Sequence, residues 1–196
     1  MLIDDKFTWS SHINDVATKI SKSNAILFRL RYILPRQALI SLYYALIYPH
    51  LIYCNILWGG ASQNLISKLL KLQKRAIRTI THSKFCAASS PLFRELNLLK
   101  IDDIYNLQVA VFAFKYKNNL LPMSCYKLLQ VVSSAHYTMR RVMFFNVPNY
   151  RTRIRERSIS VVGPRVWEDL PLHLQNTCNG IKCFKKMCKE WFILNY

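Results

Sequence analysis

Carboxylate side chains are scarce in this sequence. There are 10 Asp and Glu against 28 Lys and Arg among 196 residues, which gives a formal net charge of +18 at pH 7. A soluble domain ordinarily mixes charges of both signs, and so large an excess of one sign repels itself unless a polyanion neutralises it. We therefore expect a nucleic acid as the partner, with an anionic membrane surface as the alternative.

Glycine and proline are few as well. The 4 glycines and 7 prolines argue against a sandwich of short strands and against a disordered tail, while 52% of the residues are apolar and can form a core. The 6 cysteines make no close pairs. No secretory signal precedes them, because Asp4 and Asp5 follow the first three residues at once. We expect free thiols in an intracellular protein, nuclear or cytoplasmic.

One long stretch, residues 38–60, has no charged side chain and is long enough to cross a bilayer. Pro49-His50 interrupts it, and tyrosines are scattered through it, whereas tyrosines in membrane spans cluster at the interfaces. We predict a buried helix over residues 36–48, then a second helix that ends at Trp58 and is closed by glycine. A membrane-associated protein anchored by residues 38–58 is the alternative.

Two segments combine a helical spacing of apolar residues with cations on the opposite side. In the first, residues 12–34, the cations fall within one narrow arc: Lys19, Lys22 and Arg29. In the second, residues 64–82, the cations recur at steps of three and four residues: Lys68, Lys71, Arg75 and Arg78. Such steps return to the same side of a helix and form a stripe.

The stripe of the second segment is predicted to bind phosphates. Its core seam is predicted to be Leu65, Leu69, Leu72, Ala76 and Ile80. No acidic residue occurs from residue 61 to residue 93. An ordinary solvated helix face alternates charges and gains from pairs of opposite sign, whereas this one repels itself.

The C-terminal part has a different pattern of apolar and charged residues. Residues 92–119 are predicted to be helical, and residues 122–148 to be an irregular connection. Residues 158–162 resemble a strand followed by a Gly163-Pro164 turn, and residues 181–194 an amphipathic helix. Four alternating arginines would share one side of an extended segment, with Ile154 towards the core, and form a second phosphate-binding patch: Arg151, Arg153, Arg155 and Arg157.

The predicted fold is therefore mainly α. Residues 1–9 are expected to form a strand and turn, and residues 10–121 a helical bundle. Residues 122–148 link the bundle to residues 149–196, a small basic α+β module with a short hairpin and a final helix.

No constellation for catalysis or for metal binding stands out. His173, Cys178, Cys183 and Cys188 lack the close cysteine pair that zinc sites usually need. The adjacent acids Asp4-Asp5 and Asp102-Asp103 have no second cluster with which to hold two metal ions. We expect no metal, no cofactor, no small-molecule substrate and no catalytic residue.

Several blocks of the sequence are similar to blocks of one protein family. They are residues 2–9 (LIDDKFTW), Tyr48-Pro49-His50 with Trp58-Gly59, Leu72-Gln73-Lys74-Arg75, and Gly163-Pro164-Arg165-Val166-Trp167. Together they resemble the region that follows the catalytic palm in non-LTR (LINE-type, jockey-like) retrotransposon reverse transcriptases, which are RNA-directed DNA polymerases.

The resemblance implies a thumb-like helical bundle that holds a template-primer duplex, followed by a small basic module. The palm motif of the family, Tyr- or Phe-Ala-Asp-Asp, does not occur in the sequence, so the resemblance implies a fragment truncated before the palm and without the endonuclease. Such a fragment is expected to bind RNA or an RNA/DNA duplex without sequence preference and to catalyse nothing. A non-functional transposon relic is the other hypothesis.

Overall fold

The computed structural model describes residues 1–131, 144–177 and 180–196. These residues are mainly helical with one small two-stranded antiparallel sheet, so the fold class predicted from the sequence is confirmed. The chain forms two compact units, Met1–Tyr105 with Glu190–Tyr196, and Asn106–Lys189. The division falls at Tyr105, whereas the sequence placed the end of the helical bundle at residue 121.

The first unit is helical throughout its described elements. In chain order they are α1 (Ser10–Leu30), α2 (Arg36–Leu46), α3 (Tyr48–Ile52), α4 (Asn55–Trp58), α5 (Gln63–Ile80), α6 (Ser89–Glu95) and the start of α7 (Ile101–Lys117). The single helical region expected over residues 92–119 is thus two helices, α6 and α7. No described helix is both long and apolar enough to cross a bilayer.

The strand expected in residues 1–9 is wrong, because the structure has a turn there and no strand. The Asp4 carboxylate accepts hydrogen bonds from the Thr8 hydroxyl at 2.7 Å and from the backbone N–H groups of Thr8 and Trp9, each at 2.8 Å. These bonds favour the charged carboxylate and lower the pKa of Asp4. They fold the chain back on itself just before α1 begins.

Helices α1 and α5 pack side by side and run in the same direction, since Asn14 of α1 lies beside Lys68 and Asn24 lies beside Leu72. The predicted core seam of α5 is partly wrong. Leu69, Ala76 and Ile80 are buried as expected, but Leu65 and Leu72 are only half-buried. Ile66 and Gln73, one position further along, are buried in their place, and Ile77 is buried next to Ala76.

The hydrogen bonds of Gln73 explain why this polar residue lies on the buried side of α5. Its amide nitrogen donates to the Tyr43 hydroxyl and to the Leu99 carbonyl, each at 2.8 Å. Its amide oxygen accepts from the backbone N–H of Ile101 at 3.0 Å. A buried amide is tolerated only when its donors and acceptor are satisfied, and here they tie α5 to α2 and to the start of α7.

The first helix of the uncharged stretch ends at Leu46, earlier than the predicted residue 48. Helix α2 ends at Leu46, and Pro49 lies in the first turn of α3, where the missing N–H needs no partner. Gly59 lies at the end of the helix that ends at Trp58, as predicted, and its φ is −64°. A Cβ at Gly59 would lie 2.3 Å from the Tyr105 ring and 2.7 Å from the Asn55 carbonyl oxygen. Close packing, not a left-handed turn, therefore requires the glycine.

The second unit contains the end of α7 and most of the remaining elements. These are a 3₁₀ helix (Met123–Lys127), β1 (Gln130–Val131) paired with β2 (Phe145–Asn146), α8 (Arg153–Glu156), α9 (Ile159–Asp169), α10 (Leu172–Thr177) and α11 (Ile181–Leu194), whose last residues belong to the first unit. Its core includes Phe184, which stacks on Phe114 with ring centroids 4.4 Å apart and lies 6.1 Å from Trp167.

The strand expected over residues 158–162 and the Gly163-Pro164 turn of the short hairpin are wrong, because this segment lies in the helix α9 and the two described strands lie earlier, at residues 130–131 and 145–146. Val161, Pro164 and Trp167 are buried on one side of α9 at helical spacing. Gly163 is also buried, and a Cβ there would lie 2.9 Å from the Leu129 side chain. Burial of this apolar side outweighs the strand and turn tendencies of Val-Val-Gly-Pro. Residues 132–143 of the predicted irregular connection lie outside the described residues.

Candidate nucleic-acid interface

The cationic stripe of α5 keeps the geometry that its spacing predicts. Lys68, Lys71 and Arg75 are exposed and Arg78 is half-buried. At 100° per residue, the four side chains leave the helix within an arc of about 80°. The buried side of α5, centred on Gln73, lies on the opposite face. The four predicted contacts are therefore brought together on one face of the first unit.

The contacts of these four side chains differ. The Lys68 ammonium donates to the Asn14 side-chain oxygen at 2.8 Å. The Arg78 guanidinium donates twice to the Ala87 carbonyl, from Nε at 3.0 Å and from Nη2 at 2.9 Å. Lys71 and Arg75 have no side-chain partner within the described part of the chain, and no described carboxylate pairs with any of the four. Two of the four cations are thus free to contact a ligand without breaking a bond in the protein.

The cations of α1 lie on a different surface. Lys19 forms an ion pair with Asp15 at 2.8 Å, and the hydrogen bond from Lys19 lowers the pKa of that carboxyl. Lys19 also lines a cleft on the α3 side of α1, next to His50. Lys22 and Arg29 are exposed on the same flank, within about 80° of Lys19 around the helix. The contact with α5 is made from the other flank, so the structure does not merge the two stripes into one surface.

The arginines after residue 150 do not form the arrangement that the sequence indicated. All four are exposed, but Arg153 and Arg155 lie in the helical turn α8, where residues two apart point about 160° away from each other. The Thr152 hydroxyl accepts a hydrogen bond from the Arg155 N–H at 3.3 Å and caps this turn. Ile154, expected to face the core, is 60% exposed. The shared side predicted for Arg151, Arg153, Arg155 and Arg157 is therefore wrong.

A groove at the C-terminal ends of α1 and α5 contains residues that no pattern in the sequence indicated. Its volume is about 310 Å³, and it is lined by Phe28, Arg31, Arg75, Arg78, Thr79, Ser83 and Phe85. Phe28 and Arg31 are distant in sequence from Phe85, so no local pattern connects them. The one available signal was Phe85 itself, an aromatic residue within the acid-free stretch of residues 61–93.

The acidic pair at the start of α7, Asp102 and Asp103, is half-buried within the first unit. Burial raises the pKa of Asp102 and that of Asp103, and the Tyr196 hydroxyl bonds to Asp103 and partly offsets the rise. The Lys100 ammonium lies 3.9 Å from the centre of the Tyr196 ring. These contacts join the start of α7 to the C-terminal residues of the first unit. The hydrogen bond to Tyr196 gives the Asp103 carboxyl a structural role.

Metal ligands do not cluster in the described part of the chain. No group of three or more His, Cys, Asp or Glu residues within residues 1–131, 144–177 and 180–196 is arranged to hold a metal ion. Cys178, one of the cysteines considered for zinc, lies outside the described residues. Cys183 is exposed and Cys188 is buried, so these two point in different directions from α11.

The chain matches no protein-family model, and no similar protein was found among the curated proteins or among the solved structures.

Proposed function

We propose that this chain binds the sugar-phosphate backbone of RNA or of an RNA/DNA duplex without sequence preference. The observation that supports the proposal most is the α5 stripe, in which Lys68, Lys71, Arg75 and Arg78 share one face and no described carboxylate pairs with them. Neutralising a row of phosphates releases condensed counterions, which is the main source of sequence-independent affinity. The like charges on this face repel one another in the free protein, and binding to phosphates relieves that repulsion.

The resemblance to the region after the palm of retrotransposon reverse transcriptases supports the same proposal. We infer that the first unit acts as a thumb-like grip on a duplex in the nucleus or the cytoplasm and that the chain alone catalyses no reaction. Primer extension above background by the purified chain would contradict this part of the proposal. Flotation with liposomes in the absence of nucleic acid would instead favour a membrane-associated protein.

A salt titration of two variants tests the proposed contacts. The affinity for a blunt RNA/DNA duplex is measured over a range of NaCl concentrations for the unchanged chain and for the double variant Lys71→Ala/Arg75→Ala. We expect the slope of log K against log salt to become shallower by about 2, because each lost phosphate contact removes about one released counterion. Arg78 is left unchanged because it bonds to the Ala87 carbonyl, so that its loss would also disturb the fold.

The matched control removes the same charge from another surface. Lys185 and Lys186 are exposed on α11, and Lys185→Ala/Lys186→Ala lowers the net charge as much as the test variant does. We expect this control to keep the slope of the unchanged chain. Equal flattening by the two double variants would mean that diffuse charge, not the α5 stripe, binds the duplex. A failure of the unchanged chain to bind at low salt would refute the function itself.

A further inference from the structure

The groove at the ends of α1 and α5 concentrates positive charge that no lining residue balances. Three of its lining side chains are guanidinium groups, those of Arg31, Arg75 and Arg78, and none is a carboxylate. Like charges in one groove repel each other, and the arrangement is stabilised when an anion lies between them. The remaining lining residues are two phenylalanines and two hydroxyl residues, Thr79 and Ser83.

Arg31 is held in place by aromatic rings. Its guanidinium carbon lies 4.3 Å from the centre of the Phe28 ring and 4.3 Å from that of the Tyr32 ring, and it bonds to the Tyr32 hydroxyl. Its Nε is buried and has no hydrogen-bond partner within the described part of the chain. No described carboxylate pairs with this guanidinium, so its positive charge attracts an anion such as a phosphate into the groove.

The other two arginines have different roles. Arg78 donates twice to the Ala87 carbonyl, and the Ser83 N–H donates to the Arg78 carbonyl at 3.0 Å. These bonds position the segment that carries Phe85 along the edge of the groove, so Arg78 is a positioning residue. Arg75 is exposed, and its guanidinium has no partner among the described residues. It is the side chain best placed to contact a phosphate.

Exposed aromatic rings surround these cations. Phe85 is 82% exposed, Tyr32 is 76% exposed and Phe28 is 49% exposed. The Tyr32 ring also lies against His82, with ring centroids 5.9 Å apart. Aromatic faces beside a cationic groove are the features with which proteins bind single strands, because the rings stack on bases and the cations follow the backbone. A fully paired duplex offers no free base face except at its ends.

We propose that this groove binds an unpaired nucleotide at the end of, or beside, the duplex. The base stacks on Phe85 at the groove edge, and the adjacent phosphate accepts hydrogen bonds from Arg75, with the Arg31 guanidinium as a second positive charge in the groove. This proposal rests on the function proposed above and adds to it a preference for a junction between double-stranded and single-stranded nucleic acid.

Three ligands with the same double-stranded part test this site. One is a blunt RNA/DNA duplex, one carries a short single-stranded overhang, and one carries an overhang of equal length whose sugars lack bases. We expect the chain to bind the base-bearing overhang about tenfold more tightly than the abasic one, since one stacked base contributes on that order. Phe85→Ala should abolish this difference while leaving the affinity for the blunt duplex unchanged.

The controls separate this site from the rest of the protein. Phe7→Ala removes another phenylalanine, 53% exposed and outside the groove, and should keep the tenfold difference. Phe28→Leu should reduce the difference while retaining an apolar side chain, and the thermal unfolding of each variant shows that it is folded.

Equal affinity for both overhangs, alongside salt-dependent binding of the blunt duplex, would overturn the groove proposal alone. Binding to none of the three ligands would overturn the proposed function as well. Phe85-dependent binding to anionic phosphatidylserine vesicles, without a base preference, would show that the groove serves a membrane.

Discussion

His12 is a buried titratable side chain in the first unit, only 5% exposed, and its ring lies 5.6 Å from that of Trp58. Burial lowers the pKa of His12 below its usual 6.5, and the N-terminal ammonium acts in the same direction, while the Asp15 charge opposes them. The folded chain therefore binds a proton at this site less readily than the unfolded chain does. The contribution of neutral His12 to stability is present above pH 6.5 and is lost as the pH falls through the lowered pKa.

We expect the free energy of unfolding to fall on acidification below pH 6.5 and to fall less in a His12→Gln variant. Glutamine does not titrate, so any constant effect of the substitution cancels when two pH values are compared for each protein. Denaturant unfolding at a neutral and at a mildly acidic pH measures the difference. His173→Gln, at an exposed position, is the control and should retain the acid sensitivity of the unchanged chain. Equal acid sensitivity of all three proteins would show that His12 is not the group responsible.

At the scale of the elements, Gln73 joins three parts of the first unit. Replacing it with Ala leaves the Leu99 carbonyl and the Ile101 N–H without their partner, and it removes the bond to the Tyr43 hydroxyl. We expect Gln73→Ala to lower the free energy of unfolding by about 2–4 kcal/mol, since buried groups lose their hydrogen bonds and a cavity remains. The midpoint of denaturant unfolding measures this effect.

Gln63→Ala is the matched control for that experiment. Gln63 is exposed at the first residue of α5, and its replacement should change the free energy of unfolding by less than about 0.5 kcal/mol. Similar stability of the Gln73 and Gln63 variants would mean that the Gln73 hydrogen bonds do not hold α5 in its orientation.

A helix whose apolar residues recur among charged ones could be predicted from the sequence, whereas α9, whose Val-Val-Gly-Pro run favours a strand and a turn, could not. Helix α11 has the predicted bounds of residues 181–194, because Phe184 and Cys188 recur at helical spacing among exposed lysines. In α5 the two ends were predicted within two residues, yet two of the five predicted core positions, Leu65 and Leu72, were wrong by one residue. The reason is that Gln73 is polar and is buried through partners that lie far away in sequence.

The candidate site also has parts that could be predicted from the sequence and parts that could not. The α5 stripe follows from spacing within one helix, so its shared face could be predicted. The alternation of Arg151 to Arg157 indicated an extended segment, but the Thr152 cap and the buried side of the following helix α9 produce a helical turn instead. The aromatic groove could not be predicted, because Phe28 and Phe85 come to line the same groove only through the packing of α1 against α5.

At the scale of the whole molecule, the net charge of +18 should govern stability as well as binding. Within the described part of the chain, Lys19 pairs with Asp15 and Arg36 with Glu95, and the 10 Asp and Glu residues of the sequence are too few to pair with all 28 Lys and Arg residues. The repulsion among the others is screened by salt, with a Debye length of about 10 Å at 0.1 M. In the absence of nucleic acid, the free chain should therefore become more stable as moderate amounts of NaCl are added.

We expect the thermal unfolding midpoint of the free chain to rise between about 20 mM and about 200 mM NaCl, over which the Debye length shortens severalfold. Replacing Lys182, Lys185 and Lys186 with Gln removes repelling charges from an exposed face of α11 and should make this rise smaller.

RNA added at low salt should raise the midpoint further, because a ligand that binds only the folded chain stabilises it in proportion to the logarithm of its concentration. The increment due to RNA should shrink as salt is added, while the increment due to screening grows. A midpoint that falls with salt in the free chain would mean that attractive ion pairs outweigh the repulsion, and the free chain would then gain nothing from a polyanion by relief of charge.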